Sequence, residues 1–256
     1  ISYGSGYEGQ GCVNDEMTNY YVEFMKKHIF AYLNPPITSK VLPMYWYLGY
    51  NVYSKSVLEV GGVILASWIV PIHENYDGLD YWCTCMFGED NPSDPYLIPT
   101  DRALLDRRRK MILAPVLEKA VKAGNIIIPE EFEVGFDHVT NLIAGLGMED
   151  DPNYYLTRGY PGSVNTYVFN SISEPANNSY PPTNEETFIG YMHLSMYYNQ
   201  ARLAEVYPAD KYPFLTEKFA FVQKYLKDKY QIDLEAIANG PEDWDLPLIP
   251  ETPDEE

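Results

Sequence analysis

The chain has 256 residues, 46% of them hydrophobic, enough for one sizeable domain or two small ones. Its 37 acidic and 18 basic residues give a formal charge of −19, which repels phosphate backbones and anionic lipid headgroups and argues against nucleic acid as a partner. No stretch approaches the ~20 apolar residues of a membrane-spanning helix. The excess charge mainly supports solubility.

In chain order, the Gly/Ser-rich residues 1–14 read as a flexible leader. Such a spacer suits a folded body tethered by an anchor before Ile1. Asp15 to Tyr32 reads as a helix with an irregular apolar face (Tyr20, Phe24, Ile29, Ala31), stopped by Asn34-Pro35-Pro36. Ile37 to Tyr53, rich in β-branched and aromatic residues, predicts one or two strands with a bend near Gly49. Gly61-Gly62 punctuates, and the apolar run from Val63 to Val70 reads as a buried strand. Leu79 to Phe87, after the Asp77-Gly78 turn signal, predicts a third strand forming a hairpin with the second.

A polar loop, Gly88 to Pro99, leads to a helix over Thr100 to Gly124, which Pro115 should kink or split. Its basic run, Arg107-Arg108-Arg109-Lys110, reads as a solvated face. Ile126 to Ile128 and Val164 to Phe169 read as short strands, and Phe136 to Leu146 as helical. Glu149 to Pro182 is otherwise turn-rich. Asn184 to Ala238 then reads as two helices joined at Pro208 and Pro213. Thr183 or Asn184 caps the first, Thr216 caps the second, and the first carries one apolar stripe from Phe188 to Val206. Gly240 to Glu256, with four prolines and a run of acids, reads as a tail. The domain reading is leader 1–14, one domain over 15–240 and tail 241–256. Its class is α+β: a small mixed sheet from the N-terminal half, covered by the 100–124 and 184–238 helices.

Chemistry-bearing patterns are sparse. The four histidines, His28, His73, His138 and His193, are too scattered for a His-Glu-x-x-His helix; His73-Glu74 with Asp77 is the nearest echo. No nucleophile elbow or phosphate loop occurs, so no catalytic residue, metal or cofactor is assigned. Glu23, Glu59 and Glu133 sit beside apolar neighbours and are the carboxylates to watch for a glycosidase. Cys83 and Cys85 are too close for an easy disulfide, whereas Cys12 could reach either. The compositional oddity is aromatic: 24 tyrosines and 4 tryptophans, densest at Tyr45, Trp46, Tyr47 and Tyr50. Rings with an apolar body and a polar tip suit partner surfaces and sugar stacking, and these four are the candidate binding residues.

The segment Lys218-Phe219-Ala220-Phe221-Val222-Gln223-Lys224-Tyr225-Leu226-Lys227-Asp228, followed by Tyr230-Gln231-Ile232-Asp233-Leu234, resembles the closing helix of a family of Bacteroidota surface lipoproteins classed as zinc-binding metallopeptidases. Members are encoded beside outer-membrane importers of the SusC/SusD type. Ser173-Glu174-Pro175 and Asn184-Glu185-Glu186-Thr187-Phe188 resemble its segment entering the preceding helix. The match covers about a third of the chain. The family's two histidine ligands and catalytic glutamate have no counterpart, and its later acidic ligand would fall near Gly190. The resemblance therefore implies a gluzincin-like scaffold without a metal site. It further implies a non-catalytic accessory lipoprotein of the outer-membrane surface, docked on SusC/SusD-like importer proteins and binding glycan or peptide. A carboxylate-dependent hydrolase and a structural subunit of a larger assembly are the alternatives.

Overall fold

Gly61 and Gly62 both adopt positive φ (61° and 82°), a pair of conformations that glycine enters without Cβ strain. They close a two-residue turn that folds β2 (Tyr45–Val60) back on β3 (Val63–Pro71), the turn form whose twist suits a hairpin. β1 (Ser2–Gly11) runs antiparallel to β2. The first five residues of β2 also pair in parallel with β5 (Tyr81–Cys85), and β4 (Glu74–Asn75) adds antiparallel to β5. The result is a mixed five-stranded sheet in an α+β chain. The computed structural model describes residues 2–12, 15–71, 74–75, 80–85 and 102–244. His73, the Asp77-Gly78 turn, the 88–99 loop and the tail from 245 lie outside the described residues.

Several expectations change here. Residues 2–11, read as flexible leader, form β1; their glycines give little intrinsic β preference, and the ladder to β2 supplies what composition does not. The bend near Gly49 is a bulge: Gln10 faces Asn51 and Gly11 faces Gly49, so Tyr50 is the extra residue. β5 forms no hairpin with β3 but joins β2 in parallel, a pairing that local turn signals cannot announce. β3 is not buried. Val63, Ile64 and Leu65 are each about 60% exposed and Trp68 is 45% exposed, so successive side chains on both faces meet solvent.

The chain divides into two compact units: 1–27, 42–108 and 243–256 form the first, 28–41 and 109–242 the second. In the first, α1 (Asp15–Phe24) buries Met17, Tyr20, Tyr21 and Phe24, and the Tyr21 hydroxyl donates to the Gly49 carbonyl. The expected helix to Tyr32 continues, but as a π turn (Met25–Ile29) and a 3-10 turn (Phe30–Tyr32). Asn34 then caps a short α2 (Pro35–Thr38), accepting from the Ile37 amide, where a strand was expected to begin. α3 (Arg102–Lys122) runs through Pro115 unsplit, and the division between units falls inside it.

The 184–238 helices belong to the second unit, where α5 packs on α7 and α8. They number four, not two: α5 (Asn184–Tyr197), α6 (Gln200–Val206), α7 (Pro213–Tyr230) and α8 (Leu234–Asn239). Of the two expected caps, Thr183 is the one that forms, in a capping box with Glu186. The supposed single stripe breaks at Tyr198, because the Asn199 side chain starts α6 by accepting from the Arg202 amide. Thr216 is no cap; Tyr212 precedes Pro213 at the start of α7, and the Thr216 hydroxyl donates back to the Tyr212 carbonyl. α5 buries Thr187 to Ile189 and Tyr191 to Met196, nearly its whole circumference, the sign of a central helix.

α4 (Glu130–Glu133) leads into an aromatic cluster of Phe132, Phe136, Phe188, Tyr191, Phe214 and Phe221. Lys218, 3% exposed, sits within it and donates to the carbonyls of Phe132 and Val134, both at 2.8 Å. Its ammonium lies 5.2 Å from the Phe214 ring centre, a cation over an aromatic face. Residues 126–128 form no strand; the Tyr230 hydroxyl accepts from the Ile127 amide and the Tyr225 hydroxyl donates to its carbonyl. The 136–146 stretch is likewise not helical. Asp137 accepts from the Val139 and Thr140 amides in an Asx turn, and Leu142 and Ile143 make isolated bridges. Of the 164–169 strand only β6 (Ser163–Val164) forms, paired with β7 (Ile172–Ser173).

The basic run is not a solvated face either. Arg108, Arg109 and Lys110 are buried. Arg109 Nη1 donates to the Ile237 carbonyl at 2.5 Å, and Lys110 Nζ to the Ala238 carbonyl at 3.2 Å. Both carbonyls lie in the last turn of α8, where cations complement the dipole and orphan acceptors need donors.

Candidate functional site

The in-register parallel pairing of β2 with β5 sorts the aromatic run onto two faces. Tyr45 lies opposite Tyr81, Trp46 opposite Trp82 and Tyr47 opposite Cys83. Alternation then turns Trp46 and Trp82 inward: their rings meet edge to face at 5.4 Å, and Trp46 Nε1 donates to the buried Thr84 hydroxyl at 2.9 Å. Tyr45, Tyr47 and Tyr81 point the other way and are 55%, 58% and 44% exposed. The Tyr47 and Tyr81 rings lie 5.6 Å apart, edge to face. The structure thus brings Tyr45 and Tyr47 together, removes Trp46 to the inner face, and adds Tyr81. Tyr81 lies 34 positions beyond Tyr47 (81 − 47), and only the parallel pairing brings it there. Tyr50 is the bulge residue.

The second unit holds a different feature, a cleft of about 700 Å³. Glu118 and Lys122 of α3, Glu185, Glu186, Gly190 and His193 of α5, and the 160–164 and 180–182 segments line it. Lys122 Nζ donates to Glu118 Oε1 at 2.6 Å, and the partnership with Glu118 raises the lysine's pKa. Glu118 Oε2 lies 3.7 Å from His193 Nε2. The His193 ring is buried, and its Nε2 makes no hydrogen bond. Burial pushes the His193 pKa down to about 4 against the pull of Glu118, so the ring is neutral at neutral pH. Gly190, where the resemblance puts an acidic ligand, is a wall residue. Sequence reading singled out neither Glu118 nor His193 as a pair, since they are 75 positions apart (193 − 118) on different helices.

The glutamates chosen from sequence do not converge on a buried pair. Glu23 pairs with Lys26 at 2.9 Å, Glu59 is half-buried on the β2–β3 hairpin and Glu133 is exposed. None of the three cysteines forms a disulfide; Cys12 Sγ donates to the Leu48 carbonyl at 3.4 Å, and burial raises its pKa. Among the described residues no three His, Cys, Asp or Glu side chains group as a metal site, and no helix is long and apolar enough to cross a membrane. No protein-family model, curated protein or solved structure matches the chain.

Proposed function

We propose that this chain is a non-catalytic accessory protein of the outer-membrane surface that holds glycan for an importer of the SusC/SusD type. The observation that carries the binding half is the exposed row of Tyr45, Tyr47 and Tyr81 on two in-register strands. Three rings with apolar faces and hydroxyl tips, fixed on a sheet rather than on loops, lose little entropy when a sugar stacks on them. The pair of half-buried Trp46 and buried Trp82 on the opposite face supports the register of the strands. The location and the importer rest on the resemblance of the 218–234 segment.

Affinity electrophoresis through a panel of soluble polysaccharides tests the glycan. Retardation by at least one polysaccharide is expected, weakened about thirtyfold by the double substitution Tyr45→Ala with Tyr47→Ala, as befits stacking contributions of roughly 1 kcal/mol per ring. The same mixtures should show no new reducing ends; turnover would overturn the non-catalytic reading. Co-purification from native membranes tests the partner, and recovery with no importer component would remove that part.

A further inference from the structure

We infer that the Gly61-Gly62 end of the β2–β3 hairpin inserts into the interfacial layer of a zwitterionic lipid bilayer. The residues that enter are Val60, Val63, Ile64 and Leu65, which are 40%, 60%, 61% and 61% exposed. Val63 faces Val60 and Ile64 faces Glu59 across the hairpin, so these neighbours lie on opposite faces of the sheet, and both faces meet solvent. Ala66, Ser67 and Trp68 are exposed as well. A protein packed flat on a sheet covers one face, whereas a fluid apolar layer surrounds both. The run from Val60 to Ile72 holds no Asp, Glu, Lys or Arg, so no ionised group inside it has to be dragged out of water.

The competing occupant is a second copy of the chain, adding a strand to the open edge of β3, which among the described residues pairs only with β2. A bulge opposes it. Leu58 faces Ala66 and Glu59 faces Ile64, which leaves Leu65 as the extra residue and kinks the edge where a new strand would pair. Charge opposes it too, since each copy carries a formal −19. The same charge selects the lipid: an anionic surface repels the chain and a zwitterionic one does not. Glu59, two residues before Gly61, limits entry to about 7 Å at ~3.4 Å per residue, within the depth of an interfacial insertion. Headgroups and water remain at that depth and satisfy the open edge of β3. A tilt that lowers β3 and raises Lys55 and Glu59 on β2 brings Trp68, opposite Ser56, to the headgroup level, where indole rings concentrate.

Flotation of the full chain with phosphatidylcholine vesicles tests the inference. The protein is expected to float with them equally at low and high salt. Its tryptophan emission should shift to the blue, and Trp68→Phe should remove that shift. Replacing part of the lipid by phosphatidylglycerol should weaken binding. The double substitution Ile64→Thr with Leu65→Thr should lower the partition coefficient about tenfold or more, since two large apolar side chains are lost from the buried tip. Both residues are exposed and threonine suits a strand, so the hairpin is kept. Ile64→Lys, set opposite Glu59, is a second variant with the same expected direction. Absence of flotation, binding that requires phosphatidylglycerol, or binding unchanged in both variants would each overturn the inference. A lipid-free dimer seen by light scattering and lost in the same variants, with no flotation, would overturn it in favour of a second copy. Neither variant alters Tyr45, Tyr47 or Tyr81, so the lipid and glycan readouts fail independently.

Discussion

His193 links a single ring to the stability of the protein. Its pKa is about 4 when folded, mainly through burial, with Glu118 raising and Lys122 lowering it, against an ordinary 6.5. Between those values the unfolded chain takes up a proton that the folded chain refuses. Stability contributed by keeping the ring neutral is therefore fully present above pH 6.5 and declines as pH falls toward 4, by about 3 kcal/mol in all. Urea unfolding at stepped pH should show that slope, and His193→Asn should flatten it. A slope unchanged by the substitution would place the acid sensitivity elsewhere. The residue scale also has steric limits. Gly159, at φ +74°, lies so close to Phe214 that a Cβ would come within 2.4 Å of its ring, and its carbonyl accepts from the Tyr191 hydroxyl at 2.5 Å.

Among the elements, the α3–α8 junction shows how a charge run becomes structural. Arg109 is fully buried, bonds the Ile237 carbonyl, and lies with its guanidinium 4.4 Å from the Tyr32 ring centre. Arg109→Met keeps most of the volume but removes the donor and the cation–ring contact, leaving a helix carbonyl unsatisfied. A loss of about 2–4 kcal/mol is expected in denaturant titration. A variant as stable as the parent would mean the carbonyl had found water. The β2–β3 hairpin makes the opposite point. Its uncharged outer strand carries exposed apolar side chains on both faces, so a continuous apolar run reports hydrophobicity without reporting burial.

For the whole molecule, charge is the dominant collective quantity. A formal −19 at neutral pH sets many carboxylates against few compensating cations, and the folded state confines them in a smaller volume than the unfolded one. Salt screens that repulsion over about 10 Å at 0.1 M. The melting temperature is therefore expected to rise by a few degrees between low salt and about 0.5 M sodium chloride, followed by circular dichroism. A fall would show that attractive pairs such as Lys227–Asp233 and Lys122–Glu118 outweigh the excess.

The sequence by itself determined the α+β class, the Gly61-Gly62 turn, a cap at Thr183 or Asn184, and the existence of the long helices, because these depend on contacts a few residues apart. Tertiary structure alone decided that residues 2–11 pair with β2, that Arg109 caps α8, and that α5 packs on α7 and α8. It also set Tyr81 beside Tyr47, and Glu118 against His193. Those partners lie tens of residues apart, and local periodicity and turn chemistry carry no information about which distant segments share a face.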